Sequence, residues 1–206
     1  MVSVSIARGN VQKLFATPVI TDDVRGAEQL NAELETLILA RQAGDPGHKL
    51  SNRGGWQSEH DFAQWSGPAG RKLIDHSLAL ADSHTSGGET GKPRWRCEAW
   101  ANVSGPGHFN MPHVHSATFW SAVYYVRVGE GEGGELVLHD PRMPGLQMYA
   151  PHLRFRALGP EGQAKIEPRA GLMVLFPGWL SHSVEPWQGT GNRISVAMNI
   201  RAAAQR

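Results

Sequence analysis

The chain has a single cysteine, Cys97, among its 206 residues. No disulfide can form within it, and a metal site built on paired thiolates is excluded. A charge excess is missing too: 20 basic and 19 acidic residues leave a formal net charge of +1, which offers no general attraction to nucleic acid or an anionic membrane. No basic stripe interleaved with aromatics appears, so nucleic acid is not an expected partner. Nowhere do about 18 apolar residues run together, and the opening MVSVSIARGNVQKLF lacks the apolar stretch of a secretion signal. The expectation is a cytoplasmic protein, not membrane-bound, in which nitrogen and oxygen hold any metal. Its length suits one domain spanning 1–206.

The first part, 1–90, reads as a mostly helical support layer. After the cap candidates Thr21, Asp22 and Asp23, apolar residues recur at Ala27, Leu30, Leu34, Leu37, Ile38 and Ala40, close to helical spacing. A second helix is predicted from Pro68, with Ser66 as cap, burying Leu73, Ile74, Leu78 and Ala81. The glycine-rich segments 44–48 and 85–93 read as loops.

From Arg94 the pattern changes to short β-type runs: WRCEAWANV, TFWSAVYYVRV, GELVLH, GLMVLFP and NRISVAMNI. The expected fold is mainly β, a double-stranded β-helix or jelly roll over 94–200 with the N-terminal helices packed on one sheet. GEGEGG at 129–134 reads as a hairpin, and 139–163 as a long insertion. In the last run Ile194, Val196, Met198 and Ile200 share the face meant for the helices, while Arg193, Ser195, Ala197 and Asn199 share the other. Arg193 and Ser195 then point into the barrel, where a buried guanidinium needs an anionic partner.

His113-Val-His115, then His182, then Arg193-Ile-Ser195 is the pattern that carries chemistry. Imidazoles at i and i+2 of an extended segment project to one face, and a third from a distant strand completes a three-point metal site. An Arg-x-Ser beyond it offers a place for a carboxylate. The combination points to a mononuclear iron site that also holds an organic acid. Glu135 or Asp140 remains an alternative ligand, and Arg193 has the plainer alternative of pairing with Glu185 or Glu167.

The run NVSGPGHFNMPHVHSATFWSAVYYV, with FPGWLSHSVEP and NRISVAMNI, resembles the iron(II) and 2-oxoglutarate dependent dioxygenases, in particular a bacterial and phage branch of them. The resemblance spans 95–200, and SNRGGWQS at 51–58 extends it. In the wider superfamily a His-x-Asp or His-x-Glu pair and a distal His hold the metal, with Arg-x-Ser beyond. His113 and His182 match the histidine positions, and His115 stands where most members have their carboxylate. By the same resemblance Asn102 matches an asparagine that touches 2-oxoglutarate, with Ser104 in a position where nucleic-acid dealkylating members have Tyr. Tyr125 matches the second Tyr of the prolyl hydroxylase Tyr-Tyr-Leu, while alternation puts Tyr124 on the opposite face. Arg193 and Ser195 match the residues that bind the distal carboxylate.

The resemblance implies Fe(II), 2-oxoglutarate as co-substrate and O2, with hydroxylation of an unactivated C–H bond and release of succinate and carbon dioxide. Two other readings stand beside it. One is a cupin-like metalloenzyme, an isomerase or a dioxygenase without 2-oxoglutarate, for which Phe119 and Trp120 replace the missing glutamate ligand. The other is a non-catalytic, metal-stabilised binding module. The expected partner is a small-molecule or peptide substrate, with a homodimer as a further option. Trp56, Trp65, Trp179 and Trp187 are candidates for a pocket or dimer contact, with core burial as their default. Arg142, Arg154, Arg156 and Arg169 against Glu161 and Glu167 give the insertion and its flank a modest positive bias.

Overall fold

The computed structural model describes residues 10, 14–87, 91, 93–143, 152–153 and 162–203. The elements in order are β1 (Ile20–Asp23), α1 (Ala27–Gly44), β2 (Asn52–Arg53), β3 (Trp56–Gln57), α2 (Phe62–Trp65), α3 (Gly67–Ser83), β4 (Trp95–Ser104), β5 (Phe109–His113), β6 (Trp120–Arg127), β7 (Leu136–His139), β8 (Gln163–Ile166), β9 (Leu172–Pro177), β10 (His182–Val184) and β11 (Arg193–Ala202). All pair antiparallel, as two sheets ordered β1-β9-β6-β11-β4-β3 and β2-β5-β10-β7-β8. This is the mainly β jelly-roll architecture expected from the run pattern.

Three layers result. Leu30, Leu34 and Ile38 of α1 and Leu73 of α3 pack on Ile194, Val196, Met198 and Ile200 of β11. Burying each such side chain contributes about 1.5–3 kcal/mol, so the helices lie on the first sheet because its outer face is apolar. A second cluster lies between the sheets, from Tyr125 of β6, Leu136 and Leu138 of β7, and Leu172, Val174 and Phe176 of β9. Strand β9 reads LMVLFP without alternation because Met173 and Leu175 serve the helix side, whereas Leu172, Val174 and Phe176 serve the other sheet.

Several expectations are corrected. Thr21, Asp22 and Asp23 do not cap α1. They form β1, paired with Leu172–Val174 of β9, and Gly26 in a left-handed conformation precedes the helix without a side-chain cap bond. Ser66 stands before α3 but makes no cap hydrogen bond, although Pro68 sits in the first turn. GEGEGG is no hairpin: β6 and β7, which it connects, belong to opposite sheets. It crosses between them while pairing with the approach to β11, with Thr190 N donating to Glu130 O, Gln188 N to Glu132 O and Gly134 N to Pro186 O. A Cβ at Gly131 or Gly133 would lie 2.2 Å from Gly189 Cα or Pro186 O, so the glycines serve backbone contact and not a tight turn. The insertion ends in a strand, β8, which pairs with β7. Arg154, Arg156 and Glu161 lie outside the described residues.

Trp187 and Trp56 are buried, Trp65 packs against the helical core and Trp179 is exposed. No described helix is long and apolar enough to cross a membrane.

Candidate metal centre

The two short strands β5 and β10 run side by side in the second sheet with His113 and His182 in direct register. Strand β5 ends at His113, so His115 lies just beyond it and not within a continuous extended segment. It is fixed separately: its backbone N–H donates to Gly178 O at 3.0 Å, and Thr118 N donates to His115 O. Gly178 has no room for a side chain, since a Cβ would meet Thr118 O at 2.4 Å.

The three rings converge. One ligand nitrogen from each of His113, His115 and His182 lies within 4.8 Å of the others, with ring centroids 4.3–5.0 Å apart. His113 Nδ1 lies 2.7 Å from Met111 O and His182 Nδ1 lies 2.9 Å from Leu180 O. A carbonyl only accepts, so both Nδ1 atoms carry the proton and both Nε2 lone pairs are free to bind a metal. Burial keeps the rings neutral: it lowers His113 below its usual value, and it brings His182 to about 3 and His115 to about 4, with neighbouring positive charge adding to the effect. Neutral, oriented imidazoles are what a first-row divalent cation requires. Among the described residues no carboxylate joins this cluster. Asp140 is engaged by Arg142 at 2.7 Å, and Glu135 faces a different cleft.

The histidines border a cavity of about 290 Å3 whose lining includes Asn102, Tyr125, Arg193 and Ser195. The sheet registers explain this assembly. Ser195 pairs with Asn102 on one side and with Tyr125 on the other, and Asn102 pairs with Gln57. Arg193 begins the same strand, only 3% exposed, with its Nε lacking a hydrogen-bond partner. Neither Glu185 nor Glu167 pairs with it among the described residues, and Glu185 instead meets Lys165 at 2.9 Å. The guanidinium stands 5.9 Å from the Tyr125 ring centre and fits under Gly134, where an added Cβ would lie 3.0 Å from Arg193 Cδ and 3.1 Å from Nε. Burial pushes the Arg193 pKa down and that of Tyr125 up to about 12, so the phenol stays protonated as a donor. A buried cation with an unpaired N–H is costly unless an anion meets it. This is the fit of a carboxylate-bearing ligand to the residues present. Tyr124 turns to the helices, its hydroxyl 2.6 Å from Asn31 Oδ1.

Other lining residues escaped the sequence reading. Trp100 stands 5.7 Å from His115, and the exposed His60 stacks on it at 4.4 Å. Phe176 packs edge-on to His182, and Gln57 and Ser121 are buried at the wall. Only alternation along the strands, known once their partners are known, marks these as inward. His108 accepts from Gly105 N and His139 meets Ser183, both outside the cluster.

In structure the chain is similar to a prolyl-4-hydroxylase of Pseudomonas putida, at 20% identity, a TM-score of 0.63, and coverage of 91% of this chain and 94% of that one. It is also similar to a Trichoplax adhaerens prolyl hydroxylase complexed with a hypoxia inducible factor peptide fragment, at 15% identity, TM-score 0.63 and coverage of 89% and 83%. SnoN, a non-heme alpha ketoglutarate dependent epimerase from nogalamycin biosynthesis, is similar at 15% identity and TM-score 0.65, covering 91% and 78%. At such identities the likeness speaks for the fold. A sequence comparison with curated proteins gives no match. Residues 98–199, which hold all three histidines and Arg193, match the family model described as "Putative 2OG-Fe(II) oxygenase", and this part of the chain belongs to that family of 2OG-Fe(II) oxygenases.

Proposed function

We propose that this protein is an iron(II) and 2-oxoglutarate dependent dioxygenase that hydroxylates an unactivated C–H bond of a small-molecule or peptidyl substrate. One observation carries the reading: three neutral imidazoles, two of them oriented by backbone carbonyls, and a buried guanidinium whose Nε has no partner border the same cavity. His113, His115 and His182 hold the iron, with Met111 O and Leu180 O fixing two of the rings. Arg193 binds the distal carboxylate of 2-oxoglutarate, Ser195 and the protonated Tyr125 donate beside it, and Asn102 supports the same row. Three neutral ligands leave the cation its full double charge, so a dianionic chelator balances it where a carboxylate ligand would have done so in part. When bound, the iron and 2-oxoglutarate supply oxidation: with O2, 2-oxoglutarate becomes succinate and carbon dioxide while one oxygen atom converts C–H to C–OH. The apolar walls at Phe176, Val123, Leu136 and Ala197 exclude water from that chemistry. The neighbours named above act on peptides or small molecules, which supports the same breadth here.

The test is succinate formation by the iron-loaded protein, measured with oxygen uptake. The expected result is uptake that depends on 2-oxoglutarate and yields succinate. Uptake independent of 2-oxoglutarate, or none in its presence, overturns the proposal.

A further inference from the structure

The SNRGGWQS run at 51–58 has no part in the proposed chemistry, yet it closes one edge of the cavity. It carries the chain from β2 in the second sheet to β3 in the first. Gly54 and Gly55 make the crossing at φ 70°, and a Cβ on Gly54 would lie 2.2 Å from His108 Cδ2. Trp56 then joins the helix-side core, where its Nε1 donates to Asp45 O at 2.9 Å, so alternation turns Gln57 inward. Backbone bonds hold it there. His48 N donates to Gln57 O at 2.8 Å, Ser58 N donates to Ala101 O at 2.9 Å, and Gln57 pairs with Asn102 of β4.

Gln57 is 2% exposed and lines the cavity, and its side-chain amide has no hydrogen-bond partner among the described residues. Ser121 Oγ is sealed off as well as unpartnered, but the Gln57 amide is not sealed, so Nε2 and Oε1 both meet the cavity space. A carboxamide donates and accepts. The dianion of 2-oxoglutarate has acceptors only: it can take a bond from Nε2 but brings no donor to Oε1. A substrate that displaces water from Gln57 keeps the balance only by replacing both bonds. The rest of the lining narrows the chemistry. Among the described residues no Asp, Glu or Lys borders the cavity, and its one arginine is Arg193, so an ionic group brought beside Gln57 would be buried without a counter-ion. Ser51 and Asn110, hydrogen-bonded at 3.1 Å, continue the polar lining without charge. The stack of His60 on Trp100, at 4.4 Å, lines it too and offers a flat surface.

Resting on the dioxygenase reading, we propose that Gln57 is a specificity residue that grips an uncharged carboxamide of the primary substrate. Nε2 donates to the substrate C=O, Oε1 accepts the N–H on the same edge, and the rest of the substrate lies against the stack of His60 and Trp100.

The test uses iron-loaded protein under argon, saturated with 2-oxoglutarate and titrated with benzamide while tryptophan emission is followed. Saturable binding is expected, with benzoate and benzamidine, its anionic and cationic counterparts of the same shape, at least about tenfold weaker. Gln57→Met keeps the length of the side chain and removes both polar atoms. It should weaken benzamide about tenfold and leave 2-oxoglutarate binding, read from the visible absorption of its iron chelate, unchanged. No benzamide binding, equal binding of the three probes, or a variant that keeps benzamide or loses 2-oxoglutarate affinity instead, overturns the assignment. Should Gln57→Met fail to fold, Gln57→Glu decides at about pH 8, where a carboxylate only accepts: benzamidine should then bind more tightly than benzamide, and an unchanged order overturns the assignment. Wild-type protein that binds no 2-oxoglutarate overturns the dioxygenase reading itself, a separate outcome. Tighter binding of N-acetylglutamine methylamide than of butyramide assigns the carboxamide to a peptide side chain, and equal affinity assigns it to a free small amide.

Discussion

The two sheets face one cavity but are built differently. In the first, β4 and β11 run ten residues each and β6 runs eight, locked by long ladders. In the second, no strand exceeds five residues. The long strands carry Asn102, Tyr125, Arg193 and Ser195, and the short strands and their ends carry the histidines. Where a ladder is short, position comes from individual bonds, as with Met111 O, Leu180 O and Gly178 O around the three imidazoles. A chelating site tolerates this, because the cation itself draws its ligands together. A carboxylate gripped by a fork of N–H donors does not, and it is served by the rigid sheet.

If this division of labour holds, changes in the short-stranded sheet should abolish metal binding, and changes in the other should spare it. His182→Ala is expected to lose iron and to lower 2-oxoglutarate turnover by more than about 100-fold. Iron analysis of the purified variant checks this, and full stoichiometry would break the comparison. Arg193→Ala should keep its iron while binding 2-oxoglutarate about 10–150-fold more weakly, as read by titration under argon. Gly134→Ala tests the same guanidinium indirectly. Its methyl group would crowd Arg193 Cδ and Nε at a backbone φ of 72°, so about tenfold weaker 2-oxoglutarate binding with iron retained is expected.

The last effect is on stability. In the unfolded chain His182 protonates near its usual value, whereas in the folded, metal-free protein burial holds it neutral down to about 3. The unfolded state therefore binds more protons between these limits, and stability falls as pH drops from neutrality. The loss at pH 5 is about 2 kcal/mol for this ring alone. Melting curves of metal-free protein should show the slope, and the His182→Ala variant should flatten it.

How much could be read in advance follows the same division. Strand β11 was legible because it alternates an apolar face with a polar one over ten residues, and both faces have work. The histidine pattern was legible as chemistry but not as structure: β5 contains Pro112 and β10 only three residues, too little for periodicity to register. Thr21–Asp23 look like a helix start because threonine and aspartate favour caps. Pairing with the fully buried β9 overrides that local preference. The GEGEGG segment misled similarly, since glycine serves close approach of two backbones as well as a reversal. Ser121 escaped notice because its place at the cavity wall required knowing that β6 lies next to β11.

That glycine-lined crossing also governs traffic. By pressing 129–134 onto 186–190, with Trp187 almost wholly enclosed behind Arg193, the chain shuts the far end of the cavity. A carboxylate seated on Arg193 would lie against backbone that this crossing holds in place, since Gly134 stands directly over the Cδ and Nε of that side chain.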